Sequence, residues 1–278
     1  MSKAPAQDED ASVMFYDYDY PWPEDPFFSY IKPGKIGYDS TANDIAFLQK
    51  GAAANESKNV LDLCCGTGRL SIPHAREGRN VTGVDLSQGQ IDRAHHRLQK
   101  EPRDVQQRTK FVTSNVVGLD LDETFDFVQI GFNSFAMIAD PQAQQETVMT
   151  MARHMKSGSL GVIDINNPLR VKPDIDFIPT VMYERTSSEH DFRYTKTGWV
   201  TEVDTYQKIT ESGWYDVIAP DGSVKRYPYT MVIRHPSMLE VELMVERAGL
   251  KIGNTCGNHY GADFTVHSAK MIFIVVKP

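Results

Sequence analysis

Between residues 59 and 68 the chain runs from Asn59-Val60-Leu61-Asp62-Leu63-Cys64 directly into Cys65-Gly66-Thr67-Gly68, with a helix-compatible stretch behind it. Few architectures accept that junction. From Val60 on, a run that is apolar except for one acid, without polar alternation, reads as a strand buried on both faces. Gly66 and Gly68 let the backbone turn sharply and keep any Cβ out of the way of a ligand. The acid inside the strand, Asp62, is costly to bury unless a donor or a cation meets it.

The segments that follow keep alternating. The helix after the glycine loop is expected over Gly68–Glu77, tolerating Pro73. Asn80–Val84 reads as a strand and Ser87–Lys100 as a helix capped by Ser87. Lys110–Thr113 and Phe125–Ile130 read as strands, Gln142–Met155 as a helix, Lys156–Ser159 as a turn and Leu160–Ile165 as a strand. A further helix is expected from Asp39. Repeated β-then-α units predict an α/β, doubly wound, mostly parallel sheet with both faces covered.

After Asn167 the pattern changes. Residues 168–232 alternate polar with β-branched and aromatic residues and contain Asp221-Gly222, a hairpin signal. This predicts an antiparallel β insertion after the fifth strand. The α/β pattern then resumes with a helix over Ser237–Ala248, Gly249 closing it, and strands at Leu250–Thr255 and Met271–Val276. The expected organisation is an N-terminal arm over 1–38, a core over 39–167 and 233–278, and the insertion over 168–232. In the arm, residues 15–30 hold eight aromatics, three prolines and four acids. Proline excludes a long helix there, so an extended segment is expected, preceded by disorder over residues 1–12.

Composition narrows the partners. With 29 Lys and Arg against 37 Asp and Glu the net charge is −8, which argues against nucleic acid, whose binding needs a basic footprint. Met1–Ser12 lacks the order of a signal peptide, and the longest apolar stretch, Met271–Val276, is too short to span a bilayer. Of three cysteines, Cys64 and Cys65 are adjacent and Cys256 is distant. That usage points to a reducing, cytoplasmic compartment, and with no histidine cluster nearby it predicts no metal site.

Ligands of an open parallel sheet bind beyond the carboxyl ends of its strands, where strand order reverses. Asp62, Gly66 and Gly68 close the first strand there, and Asp85 closes the next, placed to accept both hydroxyls of a ribose. A dinucleotide site would show a third glycine where Ser71 stands. A carboxylate at Asp62 would repel a pyrophosphate but suits an ammonium or sulfonium, by about 1–4 kcal/mol at ~4 Å near a surface.

Val60–Leu70 with Val81–Ser87 resembles motifs I and II of class I S-adenosylmethionine-dependent methyltransferases. Phe125–Phe135, His154–Leu160, His235–Leu250 and Gly257–Lys277 resemble, in order, the family's later segments, so the resemblance covers residues 40–278. It implies a Rossmann-like core. The insertion and Phe132-Asn133-Ser134-Phe135 look most like the branch that methylates small metabolites, including amino-sugar N-methyltransferases and glycine-N-methyltransferase-like enzymes. There the insertion and an N-terminal arm form a lid over the acceptor.

Carried over by position, Asp62, Cys64, Gly66 and Gly68 would meet the methionine part of S-adenosyl-L-methionine and Asp85 its ribose. Leu86 and Gln90 would flank the adenine, Asn115 and Val116 would meet its edge, and Phe132 would lie near the sulfonium. Three positions depart from the family's habit: Cys64 for glycine, Gln90 for an apolar residue and Asn115 for aspartate. Methyl transfer needs a general base only if the acceptor binds protonated. Candidates are His259 in the last loop, Asn133 and Ser134 to orient the acceptor, and Tyr16 or Tyr20 from the arm. His235 and His154 are read as structural and solvated, respectively. The expectation is methyl transfer to an amine or hydroxyl of a small molecule, without nucleic acid or membrane. A homo-oligomer stays open, as do a nicotinamide-dependent oxidoreductase and a non-catalytic binder of the same cofactor.

Overall fold

The computed structural model describes residues 41–170, 178–186, 193–201 and 203–278. The expected arm, with Tyr16 and Tyr20, lies outside the described residues, as does the proposed helix start at Asp39.

The chain divides into two units. The first holds α1 (Thr41–Ala54), β1 (Asn59–Leu63), α2 (Ser71–Arg76), β2 (Asn80–Asp85), α3 (Gln88–Leu98), α4 (Arg103–Arg108), β3 (Thr109–Thr113), β4 (Phe125–Ile130), α5 (Ser134–Met137), α6 (Pro141–His154) and β5 (Met155–Asn166). The second holds β6 (Thr180–Thr186), β7 (Arg193–Val200), β8 (Lys208–Ile218) and β9 (Val224–Arg234). The first unit then closes with α7 (Met238–Arg247), β10 (Lys251–Cys256) and β11 (Lys270–Val276).

Its seven-stranded sheet has the order β10-β11-β5-β4-β1-β2-β3. β1 pairs in parallel with both β2 and β4, and β4 with β5. Only β11 runs against its neighbours β5 and β10. Strand order therefore reverses between β1 and β4, the expected place for a ligand crevice. The central strands are buried on both faces: Leu61, Leu63, Phe127, Val128, Ile130 and Ile163 are wholly inside. Helix starts follow local chemistry. The Ser87 side chain accepts from the Gln90 N–H, Asp140 accepts from Gln142 and Ala143 with Pro141 in the first turn, and Ser237 with Glu240 forms a capping box.

Three local expectations need correction. The helix after the glycine loop starts at Ser71, not Gly68, because Gly68 has φ +72° and cannot open a right-handed helix. The turn over Lys156–Ser159 is absorbed into β5. Gly158 N–H donates to Lys277 O at 2.8 Å and Lys277 N–H to Ser159 O at 3.1 Å, so the chain's end pairs with that segment. The short helices α4 and α5 were not expected.

The second unit is an antiparallel sheet in the order β6-β7-β8-β9, as the alternation implied. At its centre Gly198 faces Gly213, and the Tyr229 hydroxyl lies where a Cβ on Gly198 would go. That hydroxyl donates to Glu211 at 2.8 Å, and Glu211 pairs with Lys196 at 2.6 Å. Lys196 in turn lies 4.6 Å from the Tyr229 ring centroid.

Candidate active site

Four turns, one after each of β1 to β4, line the carboxyl edge of the parallel strands. The turn after β1 winds through positive φ at Cys64 (59°), Gly66 (54°) and Gly68 (72°). Cys64 takes this conformation without glycine's freedom, which costs on the order of 1 kcal/mol or more. At Gly68 a Cβ would come within 2.6 Å of the Phe111 ring. The Asp85 carboxylate anchors this turn, accepting from the Gly66 N–H at 2.7 Å and the Ser87 N–H at 3.0 Å. Beside it Leu86 is 44% exposed, an apolar face turned to solvent, while Gln90 is buried. After β3, Asn115 is exposed and accepts from Val117 N–H, and Val116 is buried.

Asp62 is buried, and its Oδ2 accepts from the Ser71 hydroxyl at 2.5 Å. Its Oδ1 and the Nε2 of Gln129, its neighbour across to β4, are buried without a hydrogen bond. Burial pushes the Asp62 carboxyl up to about 6, against the pull of Ser71, Gln129 and Arg69. An unmatched carboxylate oxygen beside a turn that carries no Cβ at Gly66 and Gly68 fits the ammonium end of S-adenosylmethionine. Burial likewise pushes the Cys64 and Cys65 thiols up, with Asp85 and Asp62 adding to it. They stay protonated.

The turn after β4 sets Phe132 and Asn133 at φ 53° and 63°. Arg69 and Lys270 lie 4.7 and 5.4 Å from the Phe132 ring centroid. Arg69 is held by both oxygens of Asp44 in α1, at 2.9 and 2.8 Å. Asn133 Oδ1 accepts from the Asn166 N–H at 2.8 Å, and its own N–H donates to Asp164 O. His259 comes in from the β10–β11 loop, buried, with Nε2 2.9 Å from Asp164 Oδ2 and its ring edge-on to Phe47. Burial alone would raise Asp164. The Lys270 ammonium at 3.2 Å and the His259 bond instead hold it well below the usual carboxylate range.

Motif reading therefore led to Asp62, Asp85, Phe132, Asn133 and His259 but missed Asp44, Arg69, Asp164 and Lys270. Asp164 carried a signal in Ile163-Asp164-Ile165, a lone acid in an apolar strand like Asp62. His154 is not solvated: it is buried, its Nε2 accepting from the Leu121 N–H at 3.0 Å and its Nδ1 on Thr150 O at 2.8 Å. Among the described residues no group of three or more His, Cys, Asp or Glu is placed to hold a metal ion, and no helix is long and apolar enough to cross a membrane.

Residues 60–158 match the family described as a methyltransferase domain. Those residues form a methyltransferase domain of the S-adenosylmethionine-dependent kind. Similar proteins share the methyltransferase's outline. The cypemycin N-terminal methyltransferase of a Streptomyces species is 23% identical over 222 residues, 79% of this chain and 83% of that protein. The crystal structure of an S-adenosylmethionine-dependent methyltransferase from Clostridium acetobutylicum superposes with TM-score 0.71 at 16% identity, covering 86% of this chain and 92% of the other. The sugar N-methyltransferase KedS8 from Streptoalloteichus gives 0.67 at 15% identity, covering 88% and 96%. Several further curated relatives match over only about half of their length.

Proposed function

We propose that the enzyme transfers a methyl group from S-adenosylmethionine to an amine, or failing that a hydroxyl, of a small-molecule metabolite by in-line displacement. The observation that carries this reading is the junction of three turns at one sheet edge: Asp62 and Asp85 at two of them, and the Asp164–His259 pair against the third. Asp62 with the Cys64, Gly66 and Gly68 backbone would hold the amino-acid end of the cofactor and Asp85 the ribose. Leu86, Gln90, Asn115 and Val116 would hold the adenine, and Phe132 would border the sulfonium. The cofactor supplies a methyl group already activated as an electrophile, so this chain's part is orientation, which can supply about 7–11 kcal/mol. His259 would take the acceptor's proton, and Asn133 and Ser134 would orient the acceptor.

The likeness to a sugar N-methyltransferase supports nitrogen over oxygen, and the acidic balance supports a small acceptor rather than nucleic acid. All three cysteines are free, which supports a reducing, cytoplasmic setting. Calorimetry with S-adenosylhomocysteine and with NADH tests the cofactor. Micromolar binding of the thioether and none of NADH is expected, and the reverse would make the chain an oxidoreductase. Mass spectrometry of an amine and alcohol panel incubated with labelled S-adenosylmethionine tests the reaction. A protein that binds the thioether tightly yet methylates nothing in a broad panel would be a binder.

A further inference from the structure

Asp164 is the residue through which the β4 turn, the last loop and β11 meet. We propose that Asp164 is a positioning residue that holds His259 as its Nε2–H tautomer and, with the same carboxyl group, fixes the Phe132–Asn133 turn. This rests on the methyltransferase reading above and adds to it the group that orients the base.

The geometry leaves little choice. Asp164 is 2% exposed, and its Oδ2 receives the Phe132 N–H at 3.3 Å and faces His259 Nε2 at 2.9 Å. Its Oδ1 faces Lys270 Nζ at 3.2 Å, and its backbone oxygen receives the Asn133 N–H at 2.9 Å. Lys270 already balances the carboxylate's charge, so the imidazole is not needed for neutrality. An ionised carboxylate only accepts. The proton between the two side chains therefore sits on Nε2, and Nδ1 is left as the ring's basic atom. The same oxygen receives the N–H of Phe132, the first of two successive non-glycine residues at positive φ, a conformation that persists only when its surroundings impose it. One carboxyl group thus sets both the ring expected beside the sulfonium and the imidazole expected to take the proton. Their relative placement cannot drift independently.

The test is nitrogen NMR of the full chain labelled in histidine, at pH 8, with His259→Gln assigning the resonance. The wild-type ring should show the Nε2–H tautomer. In Asp164→Asn the single amide oxygen should turn to Lys270, the stronger donor. That leaves the NH2 against Nε2, so the ring should change to Nδ1–H. Lys270→Met keeps the acceptor and should keep Nε2–H. An Nδ1–H or doubly protonated ring in the wild type, or an unchanged tautomer in folded Asp164→Asn, overturns the proposal. If that variant does not fold, the wild-type and Lys270→Met spectra still decide it. Calorimetry of the wild type with S-adenosylhomocysteine separates the two failures: binding with the wrong tautomer sinks the role of Asp164 alone, whereas absent binding sinks the methyltransferase reading beneath it.

Discussion

Two acids buried in one sheet, on the strands either side of β4, have been given opposite surroundings. Asp164 has a lysine, an imidazole and a backbone N–H around it, whereas Asp62 has a hydroxyl and one unmatched oxygen. Burial pushes Asp62 from 3.8 up to about 6. The folded pKa lies above the unfolded one, so this carboxyl contributes stability that is complete below about pH 4 and is lost as pH rises through about 6. The loss amounts to about 3 kcal/mol. Asp62→Asn should therefore make the cofactor-free protein more stable at pH 8 by ~1–3 kcal/mol, with little difference at pH 4. Urea denaturation at the two pH values measures this, and equal gains at both would show that ionisation of Asp62 is not the cause. The same variant should bind S-adenosylhomocysteine more weakly, a trade of function against stability. Asp85→Ala removes the acceptor for the Gly66 and Ser87 N–H groups. It should weaken thioether binding by about 1–3 kcal/mol, the cost of stranding hydrogen bonds to a charge. Unchanged affinity by calorimetry would exclude the carboxylate from the ribose site. Asp62 and Asp85 were legible because each sits beside its own strand's turn. Asp164 was not, because its partner His259 lies 95 residues further on and only the antiparallel return of β11 brings the last loop to it.

Elements were legible where local chemistry decides them and misread where a distant segment does. Ser87 and the Ser237–Glu240 box mark helix starts by their own hydrogen bonds. The segment Lys156–Ser159 reads as a turn on composition, yet Lys277, just past β11, recruits it into β5 from 118 or more positions away, which no local rule contains. In the antiparallel sheet the alternation sufficed because each strand has one face to bury. The same sheet offers an element-scale prediction. A Cβ on Gly213 would collide with the Thr197 carbonyl oxygen and lie 2.6 Å from the Gly198 Cα, both backbone atoms of the paired strand. Gly213→Ala should then break the β7–β8 ladder rather than shift a side chain, costing more than the ~1–3 kcal/mol of ordinary overpacking. Hydrogen exchange should show protection lost over β7 and β8 and kept over β1, β4 and β5. Retained protection in β8 would mean that the ladder survives the added methyl group, against this prediction.

At the scale of the whole molecule, the buried apolar clusters of the parallel sheet draw on α1 through β5 and on α7 through β11 and, among the described residues, include none between Lys172 and Arg234. The sheet's own strands close without the insertion, since β11 pairs with β5 over seven residues and β10 with β11. The described part of the 63-residue insertion (Lys172–Arg234) therefore adds nothing to these clusters. Replacing Lys172–Arg234 by a flexible glycine-serine linker should leave a cooperatively folding protein, because a long surface connection costs only ~0.6 kcal/mol of closure entropy for each doubling. Every residue assigned to the cofactor lies outside the replaced segment, so S-adenosylhomocysteine should still bind within about tenfold of the full chain (about 1.4 kcal/mol). Methyl transfer to the acceptor found for the intact enzyme should fall by a hundredfold or more if the insertion shapes the acceptor site. Calorimetry and turnover on the same preparation separate the outcomes. Lost thioether binding would show that the cofactor site needs the insertion, and retained turnover would show that the acceptor is held by the parallel sheet's own loops.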